Sequence, residues 1–572
     1  MTTTTRIRRH LWLLALLASA LAWLPATTTP ALADDDDPAA PAEWDGRESR
    51  KEAVAMMEEY LVAATTPARQ AEIEQFLDSL GVLKLRDSRK YEKDVLDLLK
   101  KSASDKLDTA NLAALSFKHE ALTGRVYVSG NTSAGAQKQA LIIALHGGGE
   151  GVGDGSQAMQ IFKGAASIGG IVIAPTAPEL RGTAWNHEDI ERWVIALVEA
   201  AKNTWDIDTN RIYFIGHSMG GFGTWSIGCK HADRLAAISP NAGGIFANPG
   251  NTETGGLASG HIPNLLNTPV WFYHSTDDPR VGVQNDQLAN AYLTKLKGQG
   301  YPFEWVYKEY TDRGHGFPAD GHGPIYKWLG EHTRNPYPLH ILWEPSREQK
   351  KLFFWIEATN TAAQYGATGR IEGKIDKASN TVTITSSGNP GDITVYLNEK
   401  LVDLTKPVTI TQNGEVKFQG HVYPQLSVLL HSVARTRDPL QYYNCRVSLS
   451  GRTSLGPAPA PGPGPGPGSD PKPDGDPAAK PPTDEPVAPP PPAVEKYEKG
   501  TDEFKRFMDI VAQVVPRGHR VNRDATSVTN AISMLNEQYK DKLVRMLDHS
   551  ARGASGDDRK LLREFSEMAA GG

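Results

Sequence analysis

Residues 212–221 read Ile-Tyr-Phe-Ile-Gly-His-Ser-Met-Gly-Gly, and this stretch decides the fold. It begins as an apolar run of β-branched and aromatic residues, which is typical of a buried strand. It then breaks into glycines around a single serine. Gly216, Ser218 and Gly220 have the Gly-x-Ser-x-Gly spacing of a nucleophile elbow, in which a strand turns sharply into a helix and presents a hydroxyl at the turn. Glycines stand on both sides because the serine backbone is strained and a neighbouring Cβ atom would collide there.

Buried strands and amphipathic helices alternate on both sides of this elbow. Apolar and alternating runs predict strands at residues 124–128, 140–145, 171–174, 211–215, 235–239, 269–274 and 304–310. Helical periodicity predicts amphipathic helices at residues 188–205 and 285–297. Strands that alternate with helices are typical of a parallel sheet that is wrapped on both faces. We therefore predict an α/β class, with a mostly parallel sheet and helices on both faces, over residues 119–335.

Three loops that follow predicted strands supply the side chains for nucleophilic catalysis. Ser218, Asp278 and His315 each lie in such a loop, and they occur in that order along the chain. The carboxyl ends of parallel strands meet at one edge of a sheet, so the three loops can converge. A serine hydroxyl is a poor nucleophile at neutral pH, and it needs an imidazole to take its proton and a carboxylate to orient that imidazole. We therefore predict a catalytic triad of Ser218, Asp278 and His315.

Two of these three assignments have a rival close by in the chain. Asp277 is the alternative acid, but we favour Asp278 because it directly precedes Pro279, which leaves Asp277 to cap the turn. His322 lies between two glycines and is the rival of His315. We expect His217, directly before the predicted nucleophile, to be a packing residue.

The negative charge that develops on a substrate oxygen during acyl transfer needs fixed hydrogen-bond donors. The backbone N–H of Met219, directly after the predicted nucleophile, is one expected donor. Residues 146–149 read His-Gly-Gly-Gly after a predicted central strand, so the backbone of Gly147 and Gly148 is the natural second donor of this oxyanion hole. We expect the side chain of His146 to shape this loop and not to act as a base.

The first 33 residues have the pattern of a secretory signal peptide. Three arginines at residues 6–9 precede an apolar run at residues 11–24, and residues 31–33 read Ala-Leu-Ala, a small-residue cleavage site. We therefore expect a signal peptide at residues 1–33 and export to the periplasm or the extracellular space, with no integral membrane segment after cleavage. A membrane anchor is the competing interpretation, but the apolar run is short for a full span.

Four further segments complete the predicted domain organisation. They are a helical module at 34–118, a β-sandwich-like domain at 338–452, a Pro/Gly-rich disordered linker at 453–494 and a second helical module at 495–572. After residue 338 the helical pattern disappears, and short strands are predicted at residues 352–357, 381–385, 393–397, 408–411, 415–419 and 446–449. Asn413-Gly414 lies between two of them and is a strong signal for a tight hairpin.

Composition argues against some partners and cofactors. The chain of 572 residues has a formal net charge of −6, which gives no basis for binding nucleic acid. Its two cysteines, Cys229 and Cys445, lie in different predicted domains, so we expect two free, buried thiols. No Cys/His cluster has the spacing of a zinc site, and we predict neither a metal nor a cofactor.

These motifs together resemble the α/β-hydrolase superfamily. The resemblance covers about residues 120–335 and is carried by the His-Gly-Gly-Gly of residues 146–149, the elbow at residues 216–221, Asp278 and the Gly-His-Gly of residues 314–316. The branch that it resembles contains secreted esterases of the polyhydroxybutyrate-depolymerase, feruloyl-esterase and dienelactone-hydrolase type, with prolyl-oligopeptidase catalytic domains as neighbours. Ser275 departs from that branch, in which a glycine often precedes the acid.

The resemblance implies an exported serine hydrolase that forms an acyl-enzyme and acts on a carboxylic ester of a small molecule or a polymer. A β-sandwich beside the catalytic domain would then offer contact with a polysaccharide. Two alternatives stay open. A serine peptidase of prolyl-oligopeptidase-like type is one, although no propeller-length region precedes the catalytic domain. A binding protein that keeps an inactive hydrolase scaffold is the other, although the complete set of triad residues argues against it.

Overall fold

A computed structural model describes residues 43–44, 49–62, 65–103, 105–133, 138–149, 151–179, 184–245, 260–346, 350–360 and 369–450. The predicted signal peptide, linker and C-terminal helical module lie outside these residues. The chain divides into two compact units, 1–464 and 465–572, and all the described residues lie in the first. The predicted domain boundaries inside that first unit stay predictions. Within the described part of the chain, no helix has the length and apolar character needed to cross a membrane.

The described helices and strands are labelled in chain order. The helices are α1 (Arg50–Leu61), α2 (Pro67–Ser79), α3 (Leu85–Ser102), α4 (Gly155–Phe162), α5 (Glu188–Thr204), α6 (Met219–Lys230), α7 (Gln284–Gly298), α8 (Gly323–Gly330) and α9 (Leu426–Thr436). The first ten strands are β1 (Glu43–Trp44), β2 (Val82–Leu83), β3 (Ser116–His119), β4 (Leu122–Gly130), β5 (Gln139–Leu145), β6 (Gly170–Pro175), β7 (Ile207–His217), β8 (Ala237–Asn241), β9 (Val270–Ser275) and β10 (Trp305–Tyr310). The remaining strands are β11 (His340–Trp343), β12 (Leu352–Phe353), β13 (Ile356–Ala358), β14 (Ile371–Asp376), β15 (Thr381–Ser386), β16 (Ile393–Leu397), β17 (Val408–Gln412), β18 (Glu415–Gly420) and β19 (Cys445–Ser448).

An eight-stranded sheet with the order β10-β9-β8-β7-β5-β6-β4-β3 forms the centre of the first unit. β4 pairs antiparallel with β3 and with β6, whereas the other neighbours in the sheet are parallel. β5 is buried along its whole length. Its Leu141 and Ile143 join a hydrophobic cluster with α5, α6 and α7, and its Ile142 joins a second cluster with α4 and α8. The predicted α/β class, with a mostly parallel sheet and helices on both faces, is confirmed.

The register of the parallel strands brings their loops to one edge of the central sheet. Leu145 at the end of β5 pairs with Gly216 near the end of β7. Ser275 and Tyr310, the last residues of β9 and β10, pair with each other. The loops after β5, β7, β9 and β10 therefore leave the sheet at the same edge, and we call this edge the active edge.

Two smaller sheets follow the central sheet in the chain. Their strand orders are β11-β14-β15-β17-β18 and β12-β13-β16-β19. Buried side chains of both sheets belong to the same hydrophobic cluster as one face of the central sheet. The predicted hairpin is confirmed, because Asn413 and Gly414 have φ values of 51° and 86° and join β17 to its antiparallel neighbour β18.

Two expectations for residues 338–452 are wrong. The region contains the helix α9, which was not predicted because the mostly apolar residues 426–430 resemble a short strand. The single strand predicted at 352–357 is instead the hairpin of β12 and β13. The chain reverses after Phe353, and Phe354 takes a φ of 48° that the alternating pattern does not reveal.

The N-terminal helices pack on this unexpected helix. Buried residues of α1, α2 and α3 form one hydrophobic cluster with the apolar residues of α9. Thr66 caps α2 by accepting a hydrogen bond from the amide of Arg69 at 3.3 Å. Cys229 and Cys445 are free and buried, as expected.

Candidate active site

The backbone turns sharply at Ser218, between β7 and α6. Its φ and ψ are 60° and −125°, a sparsely populated region for a residue with a side chain. A Cβ atom on Gly216 would lie 2.1 Å from the carbonyl oxygen of Gly220, and one on Gly220 would lie 2.1 Å from that of Leu145. The amide of Ser218 donates to the carbonyl oxygen of Asn241 in β8 at 2.9 Å. The two glycines thus let α6 approach the strands closely enough to hold the serine in its strained position.

The structure brings Ser218, His315 and Asp278 into one hydrogen-bonded row. Nε2 of His315 lies 2.8 Å from Oγ of Ser218. Nδ1 of the same imidazole lies 2.6 Å from Oδ2 of Asp278. The His315 side chain is 11% exposed and the Asp278 side chain is 0% exposed, so the row runs from a buried acid toward the surface. This geometry lets the imidazole accept the serine proton while the carboxylate stabilises the resulting imidazolium.

Asp278 is held as an anion. Its Oδ1 accepts hydrogen bonds from the amides of Arg280 at 2.8 Å and Val281 at 3.0 Å. Burial raises the pKa of this carboxyl, but the hydrogen bond to His315 and those from the two amides outweigh burial and hold the pKa below its usual range. The carboxylate is therefore ionised at neutral pH.

The neighbouring Asp277 has a different set of partners. Its Oδ1 accepts hydrogen bonds from Oγ of Ser275 at 2.5 Å and from the amide of Gly314 at 2.9 Å. Ser275 in turn accepts from the amide of Arg313 at 3.2 Å. Asp277 and Ser275 thus hold the backbone of the loop that carries His315 by hydrogen bonds. The sequence did not suggest this role for the Ser275 hydroxyl.

The rival histidine, His322, lies in an aromatic environment away from this row. Its ring centroid is 5.1 Å from that of Phe162 and 5.2 Å from that of Phe317, and its Nε2 is 3.4 Å from the Tyr273 hydroxyl. Burial lowers the pKa of His322 to about 4. His315 and not His322 is therefore the imidazole within hydrogen-bond distance of Ser218.

Comparison with known proteins gives one curated relative. No protein-family model matches the chain. Over 192 residues the chain is 27% identical to a bifunctional acetylxylan esterase/xylanase of Neocallimastix patriciarum. The match covers 32% of this chain and 25% of that protein, so the chain spans a quarter of the length of this relative.

Solved structures similar to the chain include esterases and a peptidase. A thermostable esterase is 25% identical, with a TM-score of 0.30, over 39% of this chain and 63% of its own. Est1E from Butyrivibrio proteoclasticus is 16% identical, with a TM-score of 0.28, over 38% of this chain and 96% of its own. Pyrococcus horikoshii acylaminoacyl peptidase is 18% identical, with a TM-score of 0.28, over 37% of this chain and 38% of its own. The strand order of the central sheet and the strained serine between β7 and α6 decide the fold.

The chain has the α/β-hydrolase fold. The predicted resemblance to the α/β-hydrolase superfamily is confirmed.

The predicted oxyanion residues lie around the serine. A Cβ atom on Gly147 would lie 3.2 Å from Cβ and 3.8 Å from Oγ of Ser218. Gly148 has a φ of 129°, and a Cβ atom there would lie 2.0 Å from the carbonyl oxygen of Val152. Met219 is the first residue of α6. The backbone of Gly147 thus passes directly beside the nucleophile, and the role of these amides as oxyanion donors stays a prediction.

His146 connects the loop of Gly147 and Gly148 to its surroundings by hydrogen bonds. Its Nδ1 lies 2.7 Å from the carbonyl oxygen of Gly147, and its Nε2 accepts a hydrogen bond from the amide of Ala177 at 3.1 Å. Its carbonyl oxygen accepts from Nε1 of Trp185 at 3.0 Å. Burial lowers the pKa of the imidazole, in keeping with a neutral ring that donates on one side and accepts on the other.

His217 packs against the loop that carries His315. Its ring centroid is 4.9 Å from those of both His315 and Phe317, and its Nε2 is 3.3 Å from the carbonyl oxygen of Gly316. Burial and the nearby His315 lower the pKa of His217 to about 3. It is therefore a neutral neighbour of the row and has no hydrogen bond to the serine hydroxyl among its described contacts.

A buried group of residues behind Asp278 was not predicted. Nε2 of His274 lies 3.2 Å from Oδ2 of Asp278, and its Nδ1 lies 2.7 Å from Oδ2 of Asp286. Nε1 of Trp225 donates to Oδ1 of Asp286 at 2.9 Å. The sequence held only one signal for this group, a histidine at the end of a buried strand and four residues before the acid.

Proposed function

We propose that this chain is a serine hydrolase that cleaves carboxylic esters through a covalent acyl-enzyme. The observation that carries the proposal is the row in which His315 lies 2.8 Å from the hydroxyl of Ser218 and 2.6 Å from the carboxylate of Asp278. The strained backbone of Ser218 supports it, because this turn exposes the hydroxyl at the active edge. The curated relative, whose name includes acetylxylan esterase, supports the choice of an ester.

The first half of the reaction acylates the serine. Oγ of Ser218 attacks the ester carbonyl carbon while Nε2 of His315 takes the hydroxyl proton. Asp278 stabilises the imidazolium without taking its proton. The amide of Met219, with that of Gly147 or Gly148, would donate to the oxyanion of the tetrahedral intermediate. When the intermediate collapses, the bond to the alcohol oxygen breaks, and His315 gives its proton to the leaving alcohol.

The second half of the reaction regenerates the enzyme. His315 removes a proton from a water molecule, and the water oxygen attacks the acyl carbon. The second tetrahedral intermediate expels Ser218, which recovers its proton from His315, and the carboxylic acid leaves. Each proton that His315 takes is returned in the same half, so the cycle needs no cofactor.

We propose acetyl esters on a polysaccharide as the first substrate class to test. The bifunctional relative carries an acetylxylan esterase name, which points to an acyl group on a polymer. The predicted signal peptide at residues 1–33 supports export, which would bring the enzyme to such polymers. The predicted sandwich at 338–452 would offer a surface for polysaccharide contact.

The test combines active-site labelling with a substrate panel. The full chain is treated with a fluorophosphonate probe and assayed on nitrophenyl esters of increasing acyl length, on acetylated and chemically deacetylated xylan, and on peptides. We expect labelling of the wild type, none of Ser218→Ala, turnover of the acetyl ester and release of acetate from acetylated xylan only. Labelling without any ester turnover would overturn the esterase proposal, and peptide turnover in its place would make the chain a peptidase. Ester turnover without acetate release would overturn only the polysaccharide substrate.

A further inference from the structure

A row of buried polar side chains, joined by hydrogen bonds, continues behind the triad acid. It runs from Asp278 through His274, the residue before the end of β9, to Asp286 in the first turn of α7. All three side chains are 0% exposed. Trp225 of α6 closes the row by donating to Asp286 at 2.9 Å. The triad acid is thus connected by hydrogen bonds to two helices that pack on the central sheet.

The contacts of His274 indicate which of its two ring nitrogens carry a hydrogen. Its Nε2 lies 2.9 Å from the carbonyl oxygen of Val281 and 3.2 Å from Oδ2 of Asp278. The carbonyl oxygen can only accept, so Nε2 carries a hydrogen. Its Nδ1 lies 2.7 Å from Oδ2 of Asp286, and a proton lies between these two atoms. Burial lowers the pKa of His274, but the hydrogen bond and the charge of Asp286 outweigh burial and raise it.

The carboxylate of Asp278 therefore has hydrogen-bond partners on both oxygens. Oδ1 accepts from the two amides of Arg280 and Val281. Oδ2 lies within hydrogen-bond distance of two imidazoles, His315 at 2.6 Å and His274 at 3.2 Å. A carboxylate held at both oxygens cannot rotate without losing a partner, so the direction in which it meets His315 is fixed.

We propose that His274 is a positioning residue of the active site, which holds Oδ2 of Asp278 in line with Nδ1 of His315 and is itself oriented by Asp286. The inference rests on the proposed hydrolase function. A merely structural His274, which only links β9 to α7, would affect folding and leave turnover by the folded protein unchanged. A positioning His274 affects the transition state, because small displacements of a catalytic group are costly in rate.

Two substitutions of His274 separate its two contacts. The amide nitrogen of asparagine lies as many bonds from Cα as Nδ1 does, so His274→Asn keeps a group near Asp286 and loses the contact with Asp278. The amide nitrogen of glutamine corresponds to Nε2, so His274→Gln keeps a donor for Asp278. We expect kcat on nitrophenyl acetate to fall about 10- to 100-fold in His274→Asn, with KM unchanged within about twofold. We expect His274→Gln to recover most of the loss.

A matched control comes from a second buried imidazole. His231 lies 3.0 Å from Glu191, both are buried, and none of its described contacts is with the triad residues. The same substitution, His231→Asn, therefore removes a comparable imidazole–carboxylate contact and is expected to leave kcat and KM unchanged. Circular dichroism and thermal unfolding of all variants in the full chain show whether the fold is kept.

The outcomes decide the inference separately from the proposed function. An inactive wild type that the fluorophosphonate probe does not label would defeat the proposed function. An active wild type with an equally active, folded His274→Asn variant would overturn the positioning role. If His274→Asn does not fold, Asp286→Asn decides. That isosteric change keeps an acceptor for Trp225 and removes the charge that orients His274, so we expect kcat to fall about threefold to tenfold with KM unchanged, and an unchanged kcat overturns the inference.

Discussion

Two regions of this molecule place a buried carboxylate beside a basic side chain, and only one of them has the geometry for a reaction. At the active edge, Asp278 meets the imidazole of His315 in front of a serine. At the junction of the central and smaller sheets, Arg334 meets Asp438 at 2.5 Å and Lys350 meets Asp233 at 2.5 Å. We call these two ion pairs the seam, because each joins a residue near the central sheet to one near the smaller sheets.

The two regions differ in strain and in what faces outward. At the seam, Arg334 and Asp438 are 1% and 5% exposed, and each charge meets an opposite charge. At the active edge, Ser218 has a φ of 60°, and its hydroxyl meets an imidazole that is partly exposed. Buried charge alone therefore does not mark function in this chain. A strained hydroxyl beside an imidazole that a buried carboxylate orients is the distinguishing feature.

The largest expected effect comes from removing the nucleophile or its base. We expect Ser218→Ala and His315→Ala each to lower kcat on nitrophenyl acetate by about 10⁴- to 10⁶-fold, because the groups act as a unit. The circular dichroism spectrum should not change, since neither side chain contributes to a hydrophobic cluster. A variant that keeps more than about a tenth of wild-type turnover would place the reaction elsewhere in the chain.

The two adjacent aspartates should differ strongly in their effect on turnover. We expect Asp278→Asn to lower kcat by about 10⁴-fold, because an amide favours the wrong imidazole tautomer and does not stabilise the imidazolium. We expect Asp277→Asn to lower kcat about tenfold or less, because the described contacts of Asp277 are with Ser275 and with the backbone of the loop that carries His315. Steady-state kinetics on one ester compares them, and the reverse order of effects would make Asp277 the triad acid.

The seam should respond in stability and not in activity. Asp438 accepts a hydrogen bond from Thr209 at 2.7 Å and forms the ion pair with Arg334. Because asparagine carries no charge, Asp438→Asn leaves Arg334 as an uncompensated buried charge. We expect the free energy of unfolding to fall by about 3–5 kcal/mol, with kcat of the folded protein unchanged. Urea unfolding measures the first quantity and ester turnover the second.

An exposed ion pair provides the control for the seam. Lys93 and Asp97 lie 2.7 Å apart with side chains that are 79% and 66% exposed. We expect Asp97→Asn to change the free energy of unfolding far less than Asp438→Asn does, because solvent screens an exposed pair. If Asp97→Asn and Asp438→Asn lower the free energy of unfolding equally, burial does not make the ion pairs of the seam more important for stability than an exposed pair.

The last expected effect is on the pH dependence of stability. Burial lowers the pKa of His322 to about 4 from the usual 6.5, so it stays neutral in the folded protein at pH values where it is protonated in the unfolded chain. The unfolded chain then binds more protons, and stability falls as the pH falls from about 6.5 toward 4. We expect His322→Phe to make the urea midpoint less dependent on pH in this window. Identical slopes for the wild type and the variant would contradict the neutral, half-buried state of His322.

The sequence predicted the active edge better than the smaller sheets, for a physical reason. The order of Ser218, Asp278 and His315 could be read because each follows a strand of a parallel sheet, whose carboxyl ends must meet. No comparable rule exists for α9, because the mostly apolar residues 426–430 do not distinguish a short strand from a buried helix segment.

The contacts behind the triad could not be predicted from the sequence. His274 and Asp286 are 12 positions apart, on a strand and the following helix, and only the packing of α7 on the sheet brings them together. The choice between Asp277 and Asp278 depends on which carboxylate the turn directs toward His315. Residue order alone does not specify that direction.

Trapping the covalent intermediate tests the central claim most directly. The full chain is mixed with nitrophenyl acetate, quenched in acid within one turnover, digested and examined by mass spectrometry. The account predicts one acetyl group on the peptide that contains Ser218 in the wild type and none in Ser218→Ala. Steady release of nitrophenol with no acetyl group on that peptide, or with the acetyl group on another residue, would contradict it.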